Sequence, residues 1–202
     1  MEVEVKLRIQ DIQSYTKLSD ILNPSYKTTH QQENFFFDGA DGELNSKRIA
    51  LRLRFYNGNK RCLLTIKGRM VMENGIGRAT EEEDDIDPTL GRKALQDPQV
   101  LLSSSSSHPL ITKLIKDVGG LPHGLTCLGG FHNVRKEYEW EGNLLELDET
   151  RYEWGTVYEL ECETVEPEVV REKLEKLLTQ HSVSFKYSTT TKFANFRNKT
   201  LE

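Results

Sequence analysis

Several things are scarce in this chain of 202 residues. It has three cysteines, Cys62, Cys127 and Cys162, widely spaced and odd in number. They make no disulfide framework, and their spacing is not that of zinc ligands. A reduced, intracellular protein is expected. No run of about 18 apolar residues occurs, so no membrane span is expected. The chain is charged from Glu2 and shows no leader pattern, so the expected location is cytoplasmic. Basic charge is not in excess: 27 Lys and Arg stand against 32 Asp and Glu, a net −5. That argues against broad electrostatic binding of nucleic acid or anionic membrane. There is no GxxxxGK loop, which argues against a P-loop enzyme. No Ser or Cys sits beside a His in a readable motif. The five histidines (His30, His108, His123, His132, His181) are scattered and read as surface or structural.

What is present is alternation. In Met1 to Arg8, the residues Glu2, Glu4, Lys6 and Arg8 fall on one face of a strand, and Val3, Val5 and Leu7 on the other. The apolar face says that this strand is packed. The device recurs in Leu51-Arg-Leu-Arg-Phe55, in Cys62 to Arg69, in the acidic segment Arg78 to Ile86, and in Phe131 to Trp140, Leu144 to Thr150 and Val157 to Thr164. Further extended stretches are expected at Lys27 to Phe37 and Thr126 to Leu128. Asn57-Gly58 and Asn74-Gly75 mark turns. Helices are expected at 12–22, with Asp11 as N-cap, around Leu90 to Leu95, at 109–118 and at 167–178, the last two opened by proline. Ser103 to Ser107 is a five-serine run that buries nothing and reads as a loop or linker. The tail from Ser184 is mixed.

These signals place the chain in the α+β class, mainly β, with about eight strands closing an antiparallel barrel and helices outside. A single domain over 1–202 is expected, with a helical, Ser-rich insertion around 88–125.

An ordinary sandwich with its polar face in water gives the same alternation. Two features of the set weaken that reading. Exposed strand faces are normally mixed and rich in Thr, Ser and Lys, whereas here one strand presents Arg52 and Arg54 and another presents Glu159, Glu161 and Glu163. The charge types are also those that phosphate chemistry requires. Arg forks and Lys point charges bind phosphate oxygens, and clustered carboxylates bind Mg²⁺ or Mn²⁺. If the charged faces point inward, a small barrel encloses a channel of both signs. Periodicity alone does not tell inward from outward.

The ordered set resembles a known family. Glu2-Val-Glu4-Val-Lys6 is similar to the ExExK signature of the triphosphate tunnel metalloenzymes, the CYTH superfamily. The later elements arrive in that family's order: Leu51-Arg-Leu-Arg54, Leu64-Thr-Ile-Lys67-Gly68, the acidic strand around Glu81 and Glu83, Arg135, Leu145-Glu-Leu-Asp148, Glu159-Leu-Glu161-Cys-Glu163 and Lys192-Phe193. The segments 127–131 and 157–164 look most like the plant inorganic tripolyphosphatases.

The resemblance implies an eight-stranded tunnel and metal-dependent hydrolysis of inorganic tripolyphosphate to pyrophosphate and phosphate. It implies metal ligands at Glu2, Glu4, Glu159, Glu161, Glu163 and Asp148, holding Mg²⁺ or Mn²⁺. Lys6, Arg52, Arg54, Lys67, Arg135 and Lys192 would grip the phosphates. Glu81 and Glu83, with Glu161 and Lys192, would serve the reaction itself by orienting water or holding charge. The expected partner is the small-molecule substrate alone, with no nucleic acid and no membrane, and a monomer is expected. The alternatives are an enzyme for an organic triphosphate (thiamine triphosphate, a nucleotide, an RNA 5′ end, or a cyclase) and a polyphosphate-binding module without catalysis.

Overall fold

The computed structural model describes residues 1–103 and 108–202, so most of the serine run lies outside the described residues. In chain order the strands are β1 (Glu2–Ile9), β2 (Tyr26–Gly39), β3 (Ala50–Tyr56), β4 (Arg61–Lys67), β5 (Val71–Glu73), β6 (Ile76–Ala79), β7 (Glu81–Ile86), β8 (Leu125–Trp140), β9 (Asn143–Tyr152), β10 (Gly155–Glu163) and β11 (Phe185–Tyr187). The helices are α1 (Ile12–Leu22), α2 (Glu43–Ser46), α3 (Pro88–Gln96), α4 (Pro109–Val118), α5 (Pro167–Gln180) and α6 (Lys192–Asn198). The class is α+β, mainly β, as expected. Among the described residues eight strands have six residues or more, and β5, β6 and β11 are short.

The chain forms two compact units. The first holds residues 1–31, 70–79 and 132–202. In it β1 pairs antiparallel with β10, β10 with β9, and β9 with the latter part of β8. The other edge of β1 takes β6 along its first half and β11 along its second. Val5, Leu7 and Ile9 on the apolar face of β1 are buried with Leu147, Leu160 and Cys162 against Leu18 of α1 and Val170, Leu174 and Leu178 of α5. Each such side chain contributes about 1.5–3 kcal/mol by leaving water. Asp11 caps α1 as expected, its carboxylate accepting from the Ser14 amide at 2.7 Å. Pro167 opens α5 at its first turn.

The second unit holds residues 32–69 and 80–131. The latter part of β2 pairs with β3, β3 with β4 and β4 with β7, all antiparallel. The β3–β4 turn uses Asn57 and Gly58, both at positive φ (48° and 78°), the conformation that a tight hairpin demands. Leu51, Leu53 and Phe55 bury one face of β3 with Leu64 and Ile86, under Ala94 of α3 and Ile111 and Leu114 of α4. The opening of α4 is as read: Pro109 stands in its first turn, and Gly119 at φ 84° closes it.

Three elements differ from the sequence reading. Thr126 to Trp140 is one strand, not two, because Gly129 and Gly130 continue it. A Cβ on Gly130 would lie 1.7 Å from the Asn34 carbonyl oxygen, so a larger residue has no room there. The acidic segment begins at Glu81, and residues 76–79 form a separate strand that closes a hairpin on β5 through Asn74-Gly75. The mixed tail is ordered into β11 and α6.

Candidate functional site

The first unit gathers charge on the face of its sheet opposite the core. The register makes the pattern explicit. Arg8 stands opposite Glu159, Glu159 opposite Asp148, and Asp148 opposite Arg135. One step along, Lys6 stands opposite Glu161, and Glu161 opposite Glu146. Residues directly opposite share a face, so two lateral rows lie side by side, each with two adjacent carboxylates and a cation at its β1 end. Lys192, the first residue of α6, comes onto them from outside the sheet. The Thr191 hydroxyl caps that helix by accepting from the Ala194 amide at 3.0 Å.

Bonding is dense. Arg135 grips Asp148 with two parallel bonds, Nε to Oδ1 at 2.8 Å and Nη2 to Oδ2 at 2.6 Å. Its Nη2 also reaches Glu161 at 2.7 Å, and its Nη1 pairs with Glu146. Lys192 Nζ lies 2.8 Å from Asp148 and 3.0 Å from Glu159, and it donates to Glu161. Lys6 donates to Glu161 and stands 3.5 Å from Glu4. Asn133 donates to Asp148 at 2.9 Å and accepts from Thr150 at 2.8 Å. Asp148 and Glu159 are fully buried, and Glu161 and Lys6 are 4% and 5% exposed.

Burial opposes charge on all of these groups, and the partners overcome it. Burial would raise the Asp148 carboxyl, but Arg135 and Lys192 hold it at about 2. Glu161 is held well below the usual carboxylate range against the same penalty, by Lys192, Lys6 and Arg135. Burial would lower Lys6, but Glu161, Glu4 and Glu159 hold it well above the ordinary lysine value. Lys192 is raised in the same way by Asp148, Glu159 and Glu161. At neutral pH Asp148, Glu161, Lys6 and Lys192 are therefore all ionised.

The second unit carries its own set, on the face of β3, β4 and β7 away from the helices. Arg52 stands opposite Thr65 and Thr65 opposite Glu83, and Lys67 stands opposite Glu81. Arg52 Nη2 donates to Thr65 Oγ1 and Glu83 Oε1, both at 3.0 Å, and approaches Glu81 at 3.4 Å. Lys67 Nζ is 2.7 Å from Glu81 Oε2. Arg54 donates to the neutral side chains of Asn34 at 2.9 Å and Tyr56 at 3.3 Å. The Arg52 guanidinium is lowered from its ordinary value, first by burial and then by its neighbour Arg54. Two arginines sharing one face in this way favour an added anion. The alternate residues of β7, Glu82 and Asp84, turn to the helix side and meet Lys113 of α4 and His108, the residue that caps it.

The residues singled out in the sequence divide as follows. Lys6, Arg135, Lys192, Glu4, Asp148, Glu159 and Glu161 come together in the first unit. Arg52, Arg54, Lys67, Glu81 and Glu83 lie in the second. Glu163 shares the parity of Glu161 and stands opposite Glu4, but it is exposed. Glu2 is half-buried at the start of β1, opposite Ala79. Arg69 is exposed beyond the end of β4. Arg8, Glu146, Asn133 and Thr65 join the clusters without having been selected. Period two already places Arg8 and Glu146 on the charged faces; nothing in the sequence marks Asn133.

The donor chemistry suits a hard divalent cation. All the acidic groups offer oxygen, the ligand that Mg²⁺ and Mn²⁺ prefer. Glu4 Oε1 is buried and takes no hydrogen bond. Among the described residues no three His, Cys, Asp or Glu side chains are drawn together as a coordination shell. Lys6 and Lys192 stand between the carboxylates instead.

Known proteins are similar to this chain in sequence and fold. The CYTH domain matches residues 1–196. A Hippeastrum protein, described as an adenylyl cyclase revealing a dominant triphosphatase activity, is 41% identical. It superposes with a TM-score of 0.95 over 100% of this chain and 98% of its own. A Bacillus subtilis protein named as a triphosphatase, YjbK, is 25% identical over 186 residues, 91% of this chain and 90% of its own. A Bacillus halodurans structure named for an adenylate cyclase shares the fold at a TM-score of 0.74 and 20% identity, over 96% of this chain and 97% of its own.

Proposed function

This chain belongs to the CYTH family, and from that premise we propose that it is a metal-dependent triphosphatase acting on inorganic tripolyphosphate. The observation that carries the reading is the buried, ionised cluster around Lys192. Burying a charge costs several kcal/mol even after relaxation, and packing alone needs no such cluster. A site for a polyanion and a divalent cation does need both signs. The likeness to the Hippeastrum protein supports triphosphate hydrolysis and a plant-type enzyme.

In this reading Lys6, Arg135 and Lys192 of the first unit and Arg52, Arg54 and Lys67 of the second bind phosphate oxygens. The CYTH match spans both units, which supports reading the chain as a single domain with a helical, Ser-rich insertion around 88–125. Glu2, Glu4, Glu159, Glu161, Glu163 and Asp148 would hold the metal, and Mg²⁺ or Mn²⁺ there would supply charge neutralisation at the phosphate oxygens. The water oxygen bonds to the terminal phosphorus, the bond to the bridging oxygen breaks and pyrophosphate leaves; one water proton stays on the orthophosphate and the other passes to the pyrophosphate or to solvent. Positioning and charge do most of this work. Glu161 orients water as a hydrogen-bond acceptor. Glu81 and Glu83 take the corresponding role in the second unit, and Lys192 stabilises charge on the transferred phosphoryl group. Among the described residues no helix is long and apolar enough to cross a membrane; a cytoplasmic monomer with no partner beyond its substrate completes the proposal.

The test is phosphate release from tripolyphosphate, ATP and thiamine triphosphate side by side, with Mg²⁺, with Mn²⁺ and with chelator. Metal-dependent turnover led by tripolyphosphate is the expected result. Turnover led by an organic triphosphate, or binding without turnover, overturns it.

A further inference from the structure

Arg8 is a buried arginine that the proposed reaction does not use. It is 4% exposed and lies one step beyond Lys6 on the charged face of β1. Its Nε and Nη1 are buried without a hydrogen-bond partner. An unsatisfied buried donor is costly, and a guanidinium retained at that cost calls for a reason.

The contacts of Arg8 supply one. Its Nη2 lies 3.4 Å from Glu159 Oε1, and the Ser188 hydroxyl donates to the same oxygen at 3.1 Å. The other oxygen, Oε2, faces Lys192 Nζ at 3.0 Å. Arg8 and Ser188 therefore fix which way the Glu159 carboxylate turns, and that turn presents Oε2 to Lys192. A second connection runs through the tail. Arg8 Nη2 donates to the main-chain oxygen of Glu202. Asn195, fully buried in α6, donates to the same oxygen at 3.0 Å and accepts from the Glu202 amide at 3.1 Å. The helix that carries Lys192 is thus tied to Arg8 from its far side.

We propose that Arg8 is a positioning residue for Lys192, acting through the Glu159 carboxylate and through the segment that packs on α6. The value of placing Lys192 rests on the proposed phosphate role of that lysine; the placement itself is a property of the chain. Without Arg8, Glu159 Oε1 loses that ion pair, the carboxylate swings, and Lys192 leaves its three-carboxylate seat.

The experiment is acetylation of the native protein by acetic anhydride at neutral pH, with site occupancy read by mass spectrometry, in wild type, Arg8→Gln, Arg8→Lys and Ser188→Ala. In wild type Lys192 is protected. In Arg8→Gln its labelling rate rises about tenfold, the factor that a loss of about 1.4 kcal/mol in its seat gives. In Arg8→Lys most of the protection returns, and in Ser188→Ala the rise is smaller but in the same direction. Lys6, seated on Glu161 in the same cluster, stays protected throughout. Unchanged Lys192 labelling in Arg8→Gln overturns the proposal. So does equal exposure of Lys6 and Lys192, which is loosening of the whole cluster; should Arg8→Gln fail to fold, unchanged labelling in Ser188→Ala overturns it as well. The readout needs no turnover, so an inactive wild type refutes the proposed reaction while the labelling still decides the role of Arg8.

Discussion

Replacing Arg135 by Gln tests whether the first cluster is held as described. Arg135 satisfies both oxygens of Asp148 and one of Glu161, and it pairs with Glu146. Its removal leaves Asp148, fully buried, with Lys192 as its remaining cation and Asn133 as a neutral donor. Breaking a buried pair from one side costs about 3–5 kcal/mol. The pH dependence supplies an independent check. Asp148 sits at about 2 in the folded protein against an ordinary 3.8. That depression corresponds to roughly 2 kcal/mol of stability, an order-of-magnitude figure. A depressed carboxyl contributes fully above its unfolded value and loses the contribution as pH falls through the folded value. In Arg135→Gln burial acts with less opposition, the folded value moves up, and this contribution shrinks or vanishes. Urea unfolding from pH 7 down to pH 2 should therefore show a gap of about 3–5 kcal/mol between wild type and variant at neutral pH. The gap should narrow between about pH 4 and pH 2, as Asp148 protonates in both. A gap below about 1 kcal/mol, the size of a surface ion pair, refutes the account. So does a gap that does not change with pH.

Other outcomes follow from the same geometry. Arg52→Ala and Lys67→Ala should raise KM for triphosphate more than they lower kcat, because both side chains are placed to bind phosphate oxygens; steady-state kinetics with tripolyphosphate decides, and an unchanged KM refutes the assignment. Glu4→Ala should raise the metal concentration needed for half-maximal activity, read from a Mg²⁺ titration at saturating substrate, and an unshifted titration removes Glu4 from the ligand set. Gly130→Ala should markedly lower the thermal midpoint, since its Cβ would meet the Asn34 carbonyl oxygen at 1.7 Å; a wild-type midpoint means that β2 and β8 can part there. Asp11→Ala should cost about 1 kcal/mol in urea unfolding by removing the cap of α1, and no loss means that the Ser14 amide finds another acceptor.

The amino-acid order by itself determined a good deal. Period two in Met1 to Arg8, Leu51 to Phe55 and Val157 to Thr164 separates a packed face from a charged one, and burial follows that division: Val5, Leu7, Leu51, Leu53 and Leu160 are all fully buried. The capped and proline-led helices are legible because Asp11, Pro109 and Pro167 act on their own first turns, within reach of local chemistry. The candidate set is legible as residue types and parity, and through the family that the ordered motifs resemble. Register and approach are not, because they depend on residues far apart in the chain. That Arg8 stands opposite Glu159 is a pairing across strands separated by more than a hundred residues, and it brings Arg8 beside the Glu159–Asp148 pair of the β9–β10 hairpin. That Asn133 is buried to hold Asp148, that Gly130 must lack a side chain, and that the tail folds into α6 and sets Lys192 on three carboxylates are likewise decided by neighbours that only the folded sheet brings near. The physical reason is the same in each case: periodicity is a property of one strand, whereas the ionisation, bonding and orientation of a buried charge are set by whatever stands across from it.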